Sequence, residues 1–326
     1  MPDKPKEKVP LLVVAGPTAG GKTALATALC ERLCGEVVSA DSMQIYKGMD
    51  IATAKPGPEE LTRAPHHLIS VLEPWARCSV AHYAPLAHAA IAHIHARGKL
   101  PILCGGTGLY LQAVTENLQY TPQKTDMAAR LCIAPDWQRL HKIDPTAAAK
   151  IHPNDAKRIV RALELYAVAG VTRTQQDANS RWQVSPYRAK LLVLQPRDRQ
   201  ALYRRIDARV EAMLQAGLPE EAAQWRRKMG ATAAQAIGHK ELEPYFADTA
   251  TLEACVDKLK METRRYAKRQ LSWFRRMAFE WNERVPGSCG VLWIEDTDLP
   301  EQAVAFWKGS SPVAPARDLT RQGSAL

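Results

Sequence analysis

The sequence predicts an α/β protein: a parallel sheet core carrying a phosphate-binding loop (P-loop), flanked by helices, with a helical insertion domain. Three observations carry this. An apolar run, Leu11–Val14, leads into Gly16-Pro17-Thr18-Ala19-Gly20-Gly21-Lys22-Thr23, and helix formers follow from Thr23 to Leu29. Apolar runs of strand length alternate with helical stretches through most of the 326 residues, the pattern of a parallel sheet. Between Asn117 and Tyr187 that alternation fails, and Ala-rich, helix-favouring runs take its place.

In chain order, residues 1–10 are charged and proline-rich and are expected to be disordered. The first strand is expected at Leu11–Ala15. The octapeptide after it fits G-x-x-x-x-G-K-[ST], in which glycines let the backbone wrap an anion and successive amides point inward at a helix N-terminus. In that motif Lys22 reaches the terminal phosphate and the Thr23 hydroxyl ligates Mg²⁺. Further strands are expected at Glu36–Ala40, His67–Val71 and Leu100–Cys104. The insertion covers 117–187, with helices near Asp144–His152 and Asp155–Ala169. The core resumes over 188–308 with a strand at Lys190–Gln195, a long helical region from Asp198 to Asn282 and a last strand at Gly290–Ile294. Residues 309–326, rich in Gly, Ser, Pro and Ala, are expected to be a disordered tail.

An apolar fraction of 46% and a charged fraction of 24% belong to a globular protein. No run approaches the ~18 apolar residues of a membrane span, and the N-terminus lacks the apolar stretch of a secretory signal. The seven cysteines include no C-x-x-C pair, so reduced thiols and a cytoplasmic location are expected rather than zinc or disulfides. The net charge of +10 gathers at Lys157–Arg161, Arg197–Arg209 and Arg264–Arg276. Placed on a helix, Arg264, Arg265, Lys268, Arg269, Arg275 and Arg276 fall within an arc of about 140°. Tyr266, Ala267, Gln270, Leu271, Trp273, Phe274 and Met277 fill the opposite side. Six cations in thirteen residues repel one another, which favours a polyanion such as RNA over a merely solvated face.

Asp41 follows the second strand, and so belongs at the carboxyl edge of the sheet beside the P-loop. It can serve as a general base or support Mg²⁺. The fourth strand runs into Gly105-Gly106-Thr107-Gly108 and offers no acid, unlike a nucleotide-hydrolysing P-loop protein.

Seven ordered blocks, GPTAGGKT, ADSMQIYKGMDIATAKP, PHHLI, GGTGLYLQA, IHPNDAKRIVRALELY, QAIGHKEL and TRRYAKRQLSWFRR, resemble the tRNA dimethylallyltransferase (tRNA isopentenyltransferase) family from Val9 to about Arg276. The resemblance implies transfer of a dimethylallyl group from dimethylallyl diphosphate to the N6 amine of the adenosine 3′ of the anticodon, in tRNAs reading codons that begin with U. The P-loop, Gly16 to Thr23, then holds the diphosphate leaving group with Mg²⁺ on Thr23, and Thr18 can hydrogen-bond it. Arg209 is the candidate cation for the same group, its alternative being a surface arginine. Asp41 receives the amine proton, for which an ordinary ionised carboxylate suffices. Ser42, Met43 and Gln44 would hold the flipped adenine with Asp41, and Thr107 would contact the tRNA or serve only as a turn residue. Arg130 and Lys157, Arg158, Ile159, Val160 and Arg161 would grip the anticodon stem-loop. Ala236, Ile237, Gly238, His239, Lys240 and Glu241, with Lys268, Arg269 and Arg275, would meet the RNA backbone.

His66 and His67 read as a satisfied core pair. Ser70 and His82 stand where acids are expected, His239 where an aromatic or apolar residue is expected. The stretch from Arg130 to Asp144 is short, and no C2H2 zinc finger occurs, which favours the bacterial type. A monomer is expected. The rival readings are a P-loop nucleotide or small-molecule kinase, which would consume ATP, and an RNA-binding module with a vestigial loop, against which Lys22, Thr23 and Asp41 argue.

Overall fold

The computed structural model describes residues 7–120, 133–180, 184–285, 287–288, 290–295 and 299–309. The chain forms two compact units, Met1–Thr115 with Ser185–Leu326, and Glu116–Val184. In the first, the order is β1 (Val9–Ala15), α1 (Lys22–Leu33), β2 (Gly35–Ser39), α2 (Pro58–Arg63), β3 (His66–His67), α3 (Val80–Ala96), β4 (Leu100–Gly105) and α4 (Gly108–Thr115). The second unit holds α5 (Trp137–Ile143), α6 (Pro145–Ala148), α7 (Ala156–Ala169) and α8 (Arg173–Asn179). The first resumes with β5 (Tyr187–Leu194), α9 (Arg199–Gln215), α10 (Leu218–Trp225), α11 (Glu243–Phe246), α12 (Leu252–Phe279), α13 (Trp281–Arg284), β6 (Val291–Ile294) and α14 (Leu299–Lys308).

The strands form one parallel sheet in the order β3-β2-β4-β1-β5-β6. Leu11, Val13 and Ala15 of β1 face one hydrophobic cluster, with Ile45, Tyr83, Ile91 and Phe274. Leu12 and Val14 face the other, with Leu25, Leu29 and Phe306. Burial on both faces is why these strands are continuously apolar rather than alternating. Within the second unit, Leu140, Ala148, Ile159, Ala162 and Leu163 make a core of their own. There the buried Asp144 carboxylate caps the start of α6 through Ala147 N (3.0 Å) and accepts Thr174 N (2.8 Å).

Several sequence expectations are corrected. Val9 and Pro10 are not disordered: they pair with Tyr187 and Arg188 as the start of β1, because Val9 N donates to Pro186 O at 2.9 Å. The strand expected at His67–Val71 covers only His66 and His67. Leu68 and Ser70 take positive φ, 63° and 54°, and the amides of Ser70, Val71 and Leu72 donate to Gln44 and Ile45 carbonyls instead. A helix absent from the sequence reading, α14, packs Ala303 and Phe306 into the second cluster. Arg130, residues 1–6 and residues 310–326 lie outside the described residues. Among those described, no helix is long and apolar enough to cross a membrane.

The far end of the sheet carries a buried carboxylate. Glu36 of β2 accepts His67 Nε2 (2.7 Å), Lys99 Nζ (2.7 Å) and the Arg97 guanidinium. Burial by itself raises its pKa, but the hydrogen bonds from Lys99, His67 and Arg97 outweigh burial and hold the pKa at about 2. An unfolded glutamate titrates near about 4.3. The carboxylate therefore stabilises the fold above that pH, and the contribution is lost as pH falls toward the folded value. Glu36→Gln is expected to lower unfolding free energy by about 3 kcal/mol at neutral pH. The difference from wild type should close between about pH 4.3 and about pH 2 in urea titrations; a difference that ignores pH would refute the linkage.

Candidate active site

Three loops leave the carboxyl edge of the sheet side by side, because β4 lies between β1 and β2 with Ala15 opposite Gly105 and Ser39 opposite Cys104. The loop after β1 is the predicted P-loop, the loop after β2 carries Asp41, and the loop after β4 carries Gly106 and Thr107. They are laced together. Ala40 N donates to Cys104 O (2.8 Å), Thr107 N to Ala40 O (3.1 Å), and Ser42 N to Thr107 Oγ1 (3.0 Å).

The P-loop turns through Ala19 (φ 57°) and Gly21 (φ 81°), and Gly20 N donates to Pro17 O at 3.2 Å. Gly21 is the N-cap of α1 and has no side chain with which to cap it, so the helix presents its first amides to an anion. Lys22 Nζ folds back to donate to Pro17 O at 2.8 Å. Burial lowers its pKa to about 8, with Cys104, Arg209 and Asp41 as smaller influences.

Asp41 Oδ1 accepts Met43 N (2.9 Å) and Gln44 N (3.3 Å), which fixes the carboxylate over its own turn. Gln44 uses its side chain internally. Its Nε2 donates to Thr53 O (3.3 Å) and Ala54 O (3.1 Å), and its Oε1 accepts Ser39 Oγ (3.2 Å). Arg209 projects from α9, its charge disfavoured by burial and supported at a distance by Asp41 and Glu60.

Two cavities meet here. One, of about 390 Å³, is lined by Thr18–Ala24, Asp41, Gln44, Lys55, Glu60 and Gly105. The other, of about 290 Å³, is lined by Ser42, Met43, Ala52, Met213, Ala236, Ile237, Lys240, Leu259 and Arg269. Both share Thr18, Asp41, Thr53, Arg209 and Tyr266. A polar cradle and a mixed, partly apolar chamber thus abut at one ring of side chains. In that ring, burial and the Asp41 charge push the Tyr266 phenol upward, against hydrogen bonds with Thr107 and Gln270.

The other predicted residues divide by exposure. Ala236, Gly238, His239 and Glu241 are buried, while Ile237 and Lys240 reach the second cavity. Ile159 is fully buried in the core of the second unit, so its side chain is not offered to a partner; Val160 is half-buried, and Lys157 and Arg158 are exposed. Arg158 pairs with Asp155 and Arg161 with Glu164. On α12 the six-cation stripe is partly neutralised. Arg264 pairs with Asp207 and Arg265 with Glu262, whereas Lys268, Arg269, Arg275 and Arg276 have no carboxylate within 4.0 Å among the described residues.

Sequence reasoning missed Thr53, Tyr266, Gln270 and Glu221. Glu221 of α10 accepts Asp50 N (2.7 Å), Ile51 N (2.7 Å), Ala52 N (3.0 Å) and His239 Nε2 (3.2 Å). It therefore pins the turn that brings Thr53 into the shared ring, and it gives His239 a partner at a position expected to be apolar. Gln270 carried a visible signal, since it is an amide in the apolar arc of a basic helix.

The IPP transferase family pattern matches residues 44–277 and the isopentenyl transferase pattern residues 9–69. The chain is 46% identical over 283 residues to the tRNA dimethylallyltransferase of Geobacillus kaustophilus, covering 82% of this chain and 89% of that protein. To the enzyme of the same name from Bacillus subtilis it is 42% identical over 291 residues, covering 86% and 92%. Among solved structures, the full-length tRNA isopentenylpyrophosphate transferase of Bacillus halodurans superposes with a TM-score of 0.67 at 39% identity, over 93% of this chain and 95% of that one. A eukaryotic dimethylallyltransferase solved acting on tRNA gives a TM-score of 0.75 at 29% identity, over 94% and 81%. With the P-loop and Asp41 meeting at one ring of residues, and with these likenesses running through nearly the whole fold, the chain belongs to the IPP transferase family.

Proposed function

We propose that the protein is a tRNA dimethylallyltransferase, moving a dimethylallyl group from dimethylallyl diphosphate to the N6 amine of the adenosine 3′ of the anticodon in tRNAs reading U-starting codons. The observation that carries this is the pair of abutting cavities. The P-loop side suits a diphosphate, and the chamber walled by Met43, Ala52, Met213, Ile237 and Leu259 suits an allylic chain and a base. Only the ring of Thr18, Asp41, Thr53, Arg209 and Tyr266 borders both.

The amine nitrogen attacks the allylic carbon, the carbon–oxygen bond breaks, and diphosphate departs into the loop. Loop amides, Lys22 and Arg209 stabilise the charge gathering on the leaving oxygens, and the Thr18 hydroxyl lies at the boundary to hold the bridging region. Asp41 takes the proton that the nitrogen sheds once bonded to carbon. Its Oδ1 is held by two backbone amides, so the proton goes to Oδ2.

Mg²⁺ fits the residues present. Thr23 lines the cradle, and its hydroxyl has no hydrogen-bond partner among the described residues. Such an ion would neutralise the diphosphate as it leaves. Lys157, Arg158 and the unpaired cations of α12 would bind the RNA backbone.

Incubation with unmodified tRNA, dimethylallyl diphosphate and Mg²⁺ should add the mass of one dimethylallyl group to one adenosine. No transfer, with brisk ATP consumption, would sink this reading in favour of a kinase. Asp41→Asn should reduce turnover by about 10²–10⁴-fold while changing tRNA affinity by less than about threefold; equal losses would make Asp41 an RNA-positioning residue only.

Lys22 gives a pH test. Because its pKa in the fold is about 8, it loses its charge above that pH, and Mg²⁺-pyrophosphate affinity should fall by up to about tenfold per pH unit there. Stability moves the opposite way, since the unfolded chain holds this proton up to about pH 10.4 and the fold gains as pH rises between the two values. Calorimetric titration of wild type and Lys22→Met should give a steep and a flat profile respectively; parallel profiles would assign the pH dependence to another group.

A further inference from the structure

The long basic helix α12 reaches into the site with one buried amide. Gln270 is 5% exposed. Its Oε1 accepts Thr18 N at 2.8 Å, and its Nε2 donates to Gly106 O at 2.9 Å. The two contacts fix the orientation of the carboxamide. A flipped amide would set its N–H groups against the Thr18 N–H and its oxygen against the Gly106 carbonyl. Tyr266, one turn earlier on the same helix, also hydrogen-bonds with Gln270 and with Thr107.

The contact to Thr18 takes up a backbone amide of the phosphate loop. A loop amide that could face the anion is instead tied to a side chain 252 residues away. That tie sets the corner of the loop from which the Thr18 side chain enters both cavities. At its other end the amide holds Gly106, next to Thr107, whose hydroxyl holds Ser42 N beside Asp41. A single carboxamide therefore braces the donor loop against the loop that positions the base-side residues.

We propose that Gln270 is a positioning residue: a strut between the P-loop and the Gly105–Gly108 loop that keeps Thr18 aligned with Asp41 across the ring shared by the two cavities. The proposal rests on the reading of Gly16–Thr23 as the cradle of the donor diphosphate. Leaving either partner unbonded in this buried place is costly, so the strut should act on alignment as well as on folding.

Gly106 offers an independent way to disturb it. A Cβ there would lie 2.3 Å from Gln270 Nε2, with Lys22 Nζ next at 3.7 Å, and its backbone has no positive φ. Gly106→Ala should thus displace the carboxamide without straining its own backbone. Gln270→Met keeps the volume and removes both hydrogen bonds.

The experiment measures Mg²⁺-pyrophosphate affinity by calorimetry, tRNA affinity by filter binding, melting temperature, and kcat and KM for dimethylallyl transfer, in wild type, Gly106→Ala, Gln270→Met and the double variant. Each single change should weaken pyrophosphate binding by about tenfold and lower kcat further, with tRNA affinity within about twofold of wild type. The double variant should be no worse than the poorer single one, since both break the same strut. A lower melting temperature with unchanged affinity and kcat would overturn the proposal, as would additive losses in the double variant. Should Gln270→Met fail to fold, Gly106→Ala carries the test alone, and wild-type affinity and kcat in that variant would overturn the proposal. Wild type that transfers no dimethylallyl group, yet shows pyrophosphate binding sensitive to both changes, would sink the proposed reaction and leave the strut standing.

Discussion

The site depends on the place of β4 between β1 and β2. Parallel strands paired in register end together, and here Ala15 faces Gly105 while Ser39 faces Cys104. That alignment delivers three chain segments, far apart in sequence, to one edge within hydrogen-bond reach. The lacing from Ala40 to Cys104, Thr107 to Ala40 and Ser42 to Thr107 follows from it. A one-residue slip of β2 would move Asp41 along the sheet edge and exchange the side chains that its two buried faces present. Burial of β2 on both faces, with Val38 in one cluster and Val37 in the other, is what makes such a slip costly.

On this frame the charges of the site are kept apart rather than paired off. Lys22 bonds to a backbone carbonyl, Asp41 Oδ1 to backbone amides, and Arg209 senses Asp41 and Glu60 only at a distance. Direct ion pairs among the three would satisfy burial but would pair off the charges that line the cavity beside the loop. Backbone partners hold Lys22 and Asp41 in place without pairing off their charges. The contrast is with Glu36, where the side chains of His67, Arg97 and Lys99 all bond one carboxylate.

How much of this was legible in the sequence follows from the length scale of each interaction. The P-loop, the Asp41 block and the basic stripe are local patterns, and each lies where its spacing put it. Gln270 and Glu221 act across 252, 164 or 170 residues of chain, and no local periodicity encodes such a meeting. Even so, an amide inside an apolar arc is a readable anomaly, because a buried polar group needs a partner. The missed shortness of β3 has a different origin. Leu68 and Ser70 adopt left-handed backbone that residue propensity does not announce, and their segment is held by bonds to Gln44 and Ile45 rather than by the sheet. Likewise the stripe on α12 looked like six free cations because Asp207, the partner of Arg264, comes from α9.

Helix α12 shows why a stripe and a core face should be read together. Its inward side packs Ala267, Phe274 and Met277 and sends Gln270 to the P-loop, while Lys268, Arg269 and Arg275 are exposed. Gln270 follows Arg269 directly, so the turn of helix that carries an exposed cation is the same turn that braces Thr18. The basic face and the tie to the phosphate loop are thus carried by one turn of helix, through an amide that has no charge of its own.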